Sequence, residues 1–200
     1  MEGDSSYDRK RREICATALE LFAERGFEGA TLEAVADVLG YTKPALYYYF
    51  KSKEDLFRSL MLDSLLKADG RIQGILAGDA SASDKLREVI RMYLDDHFTR
   101  RGYFSICHVQ PGFKEKMLDG PERAEVERLS ASIPQAIIGI IRQGVDSGEF
   151  MAEDPRVLGG IVFGMLSGLL IHIKLPVLAG LDLQTLGSRL DRIIIKGISA

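Results

Sequence analysis

An all-α fold is predicted, with an N-terminal three-helix module followed by a larger helical body. Three observations point there. Apolar residues recur at helical spacing nearly everywhere, as in Ile14, Ala18, Leu21 and Phe22 and again in Leu183, Leu186, Leu190, Ile193 and Ile194. Capping residues and glycines punctuate the chain where those stripes begin and end. No segment shows a convincing period-two alternation, and no internal repeat is found.

Residues 1–8 read as a loose tail. The first helix spans Arg9–Arg25 and stops at Gly26. Thr31 is a good N-cap for a short helix that puts Leu32, Val35, Ala36 and Leu39 on one face. Gly40-Tyr41 makes a turn. Thr42 caps the next helix, and Pro44 stands in its first turn, where a missing N–H costs nothing. Ser52 opens a longer helix, with Glu54 and Asp55 in the first turn, where the helix dipole favours acids. Leu56, Leu60 and Met61 line its inner side, and Leu46 and Phe50 should face inward to hold the unit together. This helix should weaken near Gly70, Gly74 or Gly78.

The helical pattern continues over Ser83–Thr99, over Tyr103–Leu118 with an interruption at Pro111-Gly112, and over Pro121–Ser147. Asp154-Pro155 starts another helix reaching Lys174. Pro176 and Gly180 break it, and Asp182 caps a last one. Residues 1–55 are assigned to the first module and 56–200 to the body.

With 200 residues and a net charge of −3, the chain has room for both parts and is no polycation. Residues 1–58 carry nine Lys/Arg against eleven Asp/Glu, although the bases cluster at 9–12 and 43–53. Such clusters can make a local positive face, with Arg9–Arg12 either touching phosphate or simply solvating a helix start. Cys15 and Cys107 are the only cysteines. That argues against a disulfide framework and for a reducing cytoplasm, and Cys15 should be a buried thiol. The polar, charged start does not resemble a signal peptide.

The stretch Thr31–Leu56 carries the chemistry. Two short helices joined by a tight turn form a helix-turn-helix, whose second helix enters the DNA major groove while the first crosses the backbone. Lys43 can reach a guanine edge or a phosphate, and Ala45 is small enough to meet a thymine methyl. Tyr47 and Tyr48 can donate to phosphates while their rings pack on sugars. The N–H groups near Ser52 form a natural phosphate site, with Lys53 adding charge. Glu33 stands near the same face, where an acid repels phosphate.

The segments Phe27-Glu28-Gly29-Ala30-Thr31, Val35-Ala36, Gly40-Tyr41-Thr42 and, above all, Leu46-Tyr47-Tyr48-Tyr49-Phe50-Lys51-Ser52-Lys53-Glu54-Asp55-Leu56 resemble the DNA-binding domain of the tetracycline-repressor (TetR) family. The motif covers about the first quarter of the chain. Ile141-Arg142-Gln143-Gly144 and Ser147-Gly148-Glu149-Phe150 are similar, less specifically, to the ending of that family's seventh helix. The resemblance implies an all-helical, dimeric regulator whose C-terminal domain binds a small molecule that releases it from operator DNA. Carried over position by position, it implies DNA contacts at Thr31, Lys43, Pro44, Ala45, Tyr47, Tyr48 and Lys53, with Tyr41 and Thr42 as further contacts.

The body offers Tyr93, His97, Phe104, Cys107, His108 and Phe163 as lining for an effector pocket of apolar walls and a few polar groups. An ordinary core has the same composition. His97 and His108 lack a companion set of metal ligands, so no metal and no cofactor are expected. No nucleophile–base pair or phosphate loop can be assembled, so no enzyme is expected. Val157–Ile173 is uncharged and apolar but sits at the short limit for a membrane span and contains Ser167 and His172, so no membrane partner is expected. Gly160, Gly164 and Gly168 make a smooth strip for close helix approach. Together with the stripe of the last helix, they predict a homodimer through the last two helices, with packing inside one chain as the alternative.

Overall fold

The computed structural model describes residues 5–98, 118–172 and 183–200 and, within those spans, every side chain except those of residues 96–98, 170–172 and 183–184. The described helices are α1 (Ser6–Gly29), α2 (Leu32–Leu39), α3 (Lys43–Tyr49), α4 (Lys53–Ala77), α5 (Ala82–Phe98), α6 (Gly120–Ser130), α7 (Ser132–Ser147), α8 (Pro155–His172) and α9 (Leu183–Ile198). The one bridge among these residues is antiparallel, Phe150 to Ser199. The described chain divides into two compact units, residues 5–64 with 118–123, and residues 65–98 with 124–172 and 183–200.

In the first unit, α1 starts earlier than expected. The Ser5 hydroxyl accepts from the Asp8 N–H at 3.1 Å, so residues 5–8 are a capped first turn and not a tail. Gly26 breaks the helix as expected, at φ 71°, and one more turn carries Phe27 into the core. There the rings of Phe22, Phe27 and Phe57 meet with centroids 5.0–5.8 Å apart. Leu46, Phe50 and Leu56 are fully buried beside them. Cys15 is only half-buried at the rim of this core, a correction to the buried thiol expected.

The turn between α2 and α3 is built from caps. Gly40 is left-handed at φ 65°, the Tyr41 N–H reaches back to the Ala36 carbonyl at 2.9 Å and the Gly40 N–H to that of Asp37 at 3.3 Å. An L side chain at Gly40 would meet no neighbour, but its backbone conformation would be strained. The hydroxyls of Thr31 and Thr42 then cap α2 and α3. Of the three glycines at which α4 was expected to weaken, it runs unbroken through Gly70 and Gly74 and ends at Gly78. Leu65, Ala68, Ile72 and Ile75 are buried along this stretch. Their packing outweighs a glycine penalty of about 1 kcal/mol each.

In the second unit, the stretch expected as one helix over Pro121–Ser147 is two, interrupted at Ala131. Pro134 explains the break. It has no N–H for the Ser130 carbonyl, and its ring would collide with that group in a continuous helix. α7 ends at Gly148, left-handed at φ 76°. The ring of Phe150 lies so close to Gly144 that a Cβ there would stand 2.1 Å from it. The Glu149 carboxylate accepts from the N–H groups of Ala82 (3.2 Å) and Ser83 (3.0 Å) at the start of α5. So Gly144, Gly148, Glu149 and Phe150 form one joint between α7 and α5.

α9 packs on α5 and buries Leu186, Leu190 and Ile194 within the chain, leaving Ile193 exposed. Most of the stripe expected to face a partner is therefore core. α8 packs on α7, with Gly159 tight against Ile138, and turns Val157, Ile161 and Met165 outward. No helix among the described residues is long and apolar enough to cross a membrane.

Candidate nucleic-acid interface

The second short helix of the turn has the exposure that a groove-entering element needs. Thr42, Lys43, Pro44 and Ala45 are exposed, as is Thr31 at the start of α2. Tyr47 is 40 % and Tyr48 72 % exposed, while Leu46 and Phe50 between and beside them are sealed in the core. The burial of those two residues fixes which way the tyrosines point. The Thr31 hydroxyl accepts from the Ala34 N–H at 3.1 Å and, as a hydroxyl, keeps a hydrogen to donate.

Lys43 forms an ion pair with Glu33, and its ammonium lies 5.8 Å from the centre of the Tyr47 ring. The hydrogen bond from Lys43 holds the Glu33 carboxyl below its usual value, and the same bond raises Lys43. Both groups are therefore charged throughout the neutral range. The face is polar and hydrogen-bonding but locally close to neutral.

Two members of the predicted contact set are engaged elsewhere. The Lys53 ammonium donates to the Phe27 carbonyl at 2.9 Å, lies 4.2 Å from the centre of the Phe27 ring, and stands 3.9 Å from Glu28. It braces the start of α4 against the end of α1. Tyr41 is half-buried, and its hydroxyl donates to Glu13 at 2.8 Å, a bond that raises its own pKa. The start of α4 is also partly satisfied from within. The Ser52 hydroxyl accepts from the Asp55 N–H (3.1 Å), and the Asp55 carboxylate accepts from the Lys51 N–H (3.0 Å). An acid thus stands where a phosphate was expected. Of the basic run at 9–12, Arg11 turns to Ser59 (2.9 Å) and over the Phe50 ring, while Arg9 and Lys10 are exposed.

Tyr7 belongs to this face too. Its ring meets Tyr49 at 4.9 Å and Tyr48 at 5.9 Å, and so backs the exposed tyrosines. The Ser5-x-x-Asp8 spacing was the available signal, since it marks a helix start earlier than Arg9.

In the second unit, the rings of Tyr93 and Phe163 meet at 6.2 Å in an edge-to-face arrangement. The Tyr93 hydroxyl pairs with Ser167 at 3.2 Å, and burial pushes its pKa up to about 12. The His97 side chain, Phe104, Cys107 and His108 lie outside the described residues.

Comparison with known proteins agrees with this geometry. Residues 14–60 match the model of the N-terminal domain of bacterial regulatory proteins of the tetR family, and residues 79–170 match a tetracyclin repressor-like C-terminal domain. Together these matches take in well over half of the chain.

The chain belongs to the TetR family.

It is therefore a DNA-binding transcriptional regulator. Among TetR relatives it is 28 % identical, over 144 residues, to the HTH-type transcriptional repressor KstR2 of Mycolicibacterium smegmatis, covering 72 % of this chain and 69 % of that protein. The solved structure of the ketosteroid regulator KstR2 of Mycobacterium tuberculosis shares the fold, with a TM-score of 0.80 at 20 % identity over 96 % of this chain and 95 % of that one. FadR of Bacillus subtilis, solved with stearoyl-CoA, shares it with a TM-score of 0.72 at 21 % identity, over 94 % and 98 % of the two chains.

Proposed function

We propose that the protein is a cytoplasmic repressor that binds operator DNA as a homodimer and is released by a small effector. The observation that carries this reading is the outward row Lys43, Ala45, Tyr47 and Tyr48 on a helix whose other side is locked by Leu46 and Phe50. In this reading residues 1–55 bind DNA, and residues 56–200 hold the effector and the dimer contact. Lys43 and Ala45 meet base edges, while Tyr47, Tyr48, Thr31 and Thr42 meet phosphates and sugars. Lys53 and Tyr41 position the face from behind.

Two copies are needed because paired recognition helices read successive major-groove faces about 34–36 Å apart. The exposed apolar side of α8, with Ile193 of α9, is the surface that supports dimerisation through the last two helices. Tyr93 and Phe163 form part of the effector site, and FadR's stearoyl-CoA complex supports the view that a body of this fold accommodates such a ligand. An effector releases DNA only through its different affinity for the bound and free arrangements. Binding, without turnover of the effector, is all that this mechanism requires.

The test is fluorescence anisotropy on a duplex selected from a random pool by the wild-type protein. Replacing Lys43 or Tyr47 by Ala should weaken binding about tenfold or more with no change in helical content. Unchanged affinity in both variants would refute the contact map.

A further inference from the structure

Glu33 is a charged group beside Lys43 that the regulator reading does not employ. It stands in the first turn of α2 and pairs with the Lys43 ammonium. The Lys43 and Glu33 side chains are 60 % and 43 % exposed. The helix dipole favours an acid in this first turn, but an ion pair so open to water adds little to folding, so stability does not account for the pairing with Lys43. Its effect is on charge. Lys43 is the only basic residue of α3 itself, and residues 1–58 hold more acids than bases. Arg11 and Lys53 point to partners within the unit.

We propose that Glu33 sets specificity by making Lys43 prefer base edges to phosphates, an inference that rests on α3 being the DNA-contacting helix. An ammonium has three N–H donors. Lys43 can keep one on Glu33 and offer another to a neutral acceptor such as guanine O6 or N7. A phosphate at the same distance brings a second negative charge beside the carboxylate, and the repulsion cancels much of what Lys43 gains. Sequence-independent binding draws nearly all its strength from phosphate contacts, whereas specific binding adds base contacts. Glu33 therefore weakens the first more than the second, and discrimination comes from penalising the wrong complex.

The experiment compares Glu33→Gln with wild type on two duplexes, one of mixed sequence and one selected from a random pool by the wild-type protein, over a range of salt. Glu33→Gln should bind the mixed duplex about three- to tenfold more tightly at low salt, with a salt slope steeper by about one per protomer. Its affinity for the selected duplex should change less, so the ratio between the two falls. In a Lys43→Gln background most of the gain should vanish, because the acid acts through the lysine. An unchanged mixed-duplex affinity and slope in Glu33→Gln, or an equal gain without Lys43, would overturn the inference while leaving the regulator reading intact. A wild-type protein that selects no duplex at all would overturn both.

Discussion

Helices α3 and α8 each carry large side chains exposed to solvent, and the two rows suit different neighbours. On α3 the exposed groups are Tyr47 and Tyr48, apolar rings with polar tips, beside a charged lysine. On α8 they are Val157, Ile161 and Met165, with nothing to donate, alongside Gly160 and Gly164, where an added Cβ would meet open space. The first row can lie against sugars and phosphates while remaining content in water. The second gains only by meeting another apolar surface, at roughly 25 cal/mol for each Å² covered. Exposure by itself is thus a poor guide to function, and the chemistry of the exposed atoms distinguishes a groove reader from a subunit contact.

The most severe way to break the contrast is to remove what holds the α3 row outward. Phe50→Ala empties a fully buried site beneath that helix and should cost about 3–5 kcal/mol. Chemical denaturation should show the loss, and DNA binding should fall with it. A variant that keeps wild-type stability would mean that the α3 face has some other support.

Next comes Ile161→Asp on the α8 row. Ile161 is 54 % exposed in the single chain, so folding should hardly notice the change. A central apolar contact of a dimer is worth about 2 kcal/mol or more, so self-association should weaken some thirtyfold by sedimentation. Undiminished dimerisation would move the interface off α8.

The inner side of α8 gives a subtler test through Tyr93, which pairs with Ser167. Its folded pKa is about 12 against an ordinary 10.0. Below pH 10 the phenol is neutral whether the chain is folded or not, and its favourable burial is fully present. As pH rises from 10 towards 12 the unfolded chain ionises first, so stability falls over that window. Denaturation midpoints of Tyr93→Phe should lack this part of the alkaline decline, and a decline identical to wild type would show the phenol to be exposed in solution.

The smallest effect belongs to Asp154 at the start of α8, whose side chain accepts from Arg156 and whose pKa lies at about 2 against an ordinary 3.8. A depressed carboxylate stabilises the fold above pH 3.8, and that contribution disappears as pH falls through about 2. Asp154→Asn should show a slightly shallower acid melting profile than wild type, detectable by circular dichroism. A steeper profile would contradict the assignment.

Local chemistry made the helix-turn-helix legible before any coordinates. Caps at Thr31 and Thr42, the glycine at 40 and the inward pair Leu46 and Phe50 act within a few residues of where they stand, so the chain order alone reveals them. The break before Pro134 was of the same local kind, and the long apolar run around it masked the signal. Other features depend on residues that are distant in sequence. Lys53 reaches Phe27, twenty-six positions away, and so braces the unit where a free lysine was expected. Tyr41 finds Glu13 across a similar interval.

The chain order by itself determined the kind of elements and the outward side of α3, because helix propensity, capping and a 3.6-residue period are short-range properties. Tertiary structure alone decided which apolar stripe became core and which stayed open. Leu186, Leu190 and Ile194 found α5 within the chain, while Ile161 on α8 remained exposed, though both stripes look equally fit for burial in the sequence. Burial is set by which surfaces meet, and that depends on packing between elements far apart along the backbone.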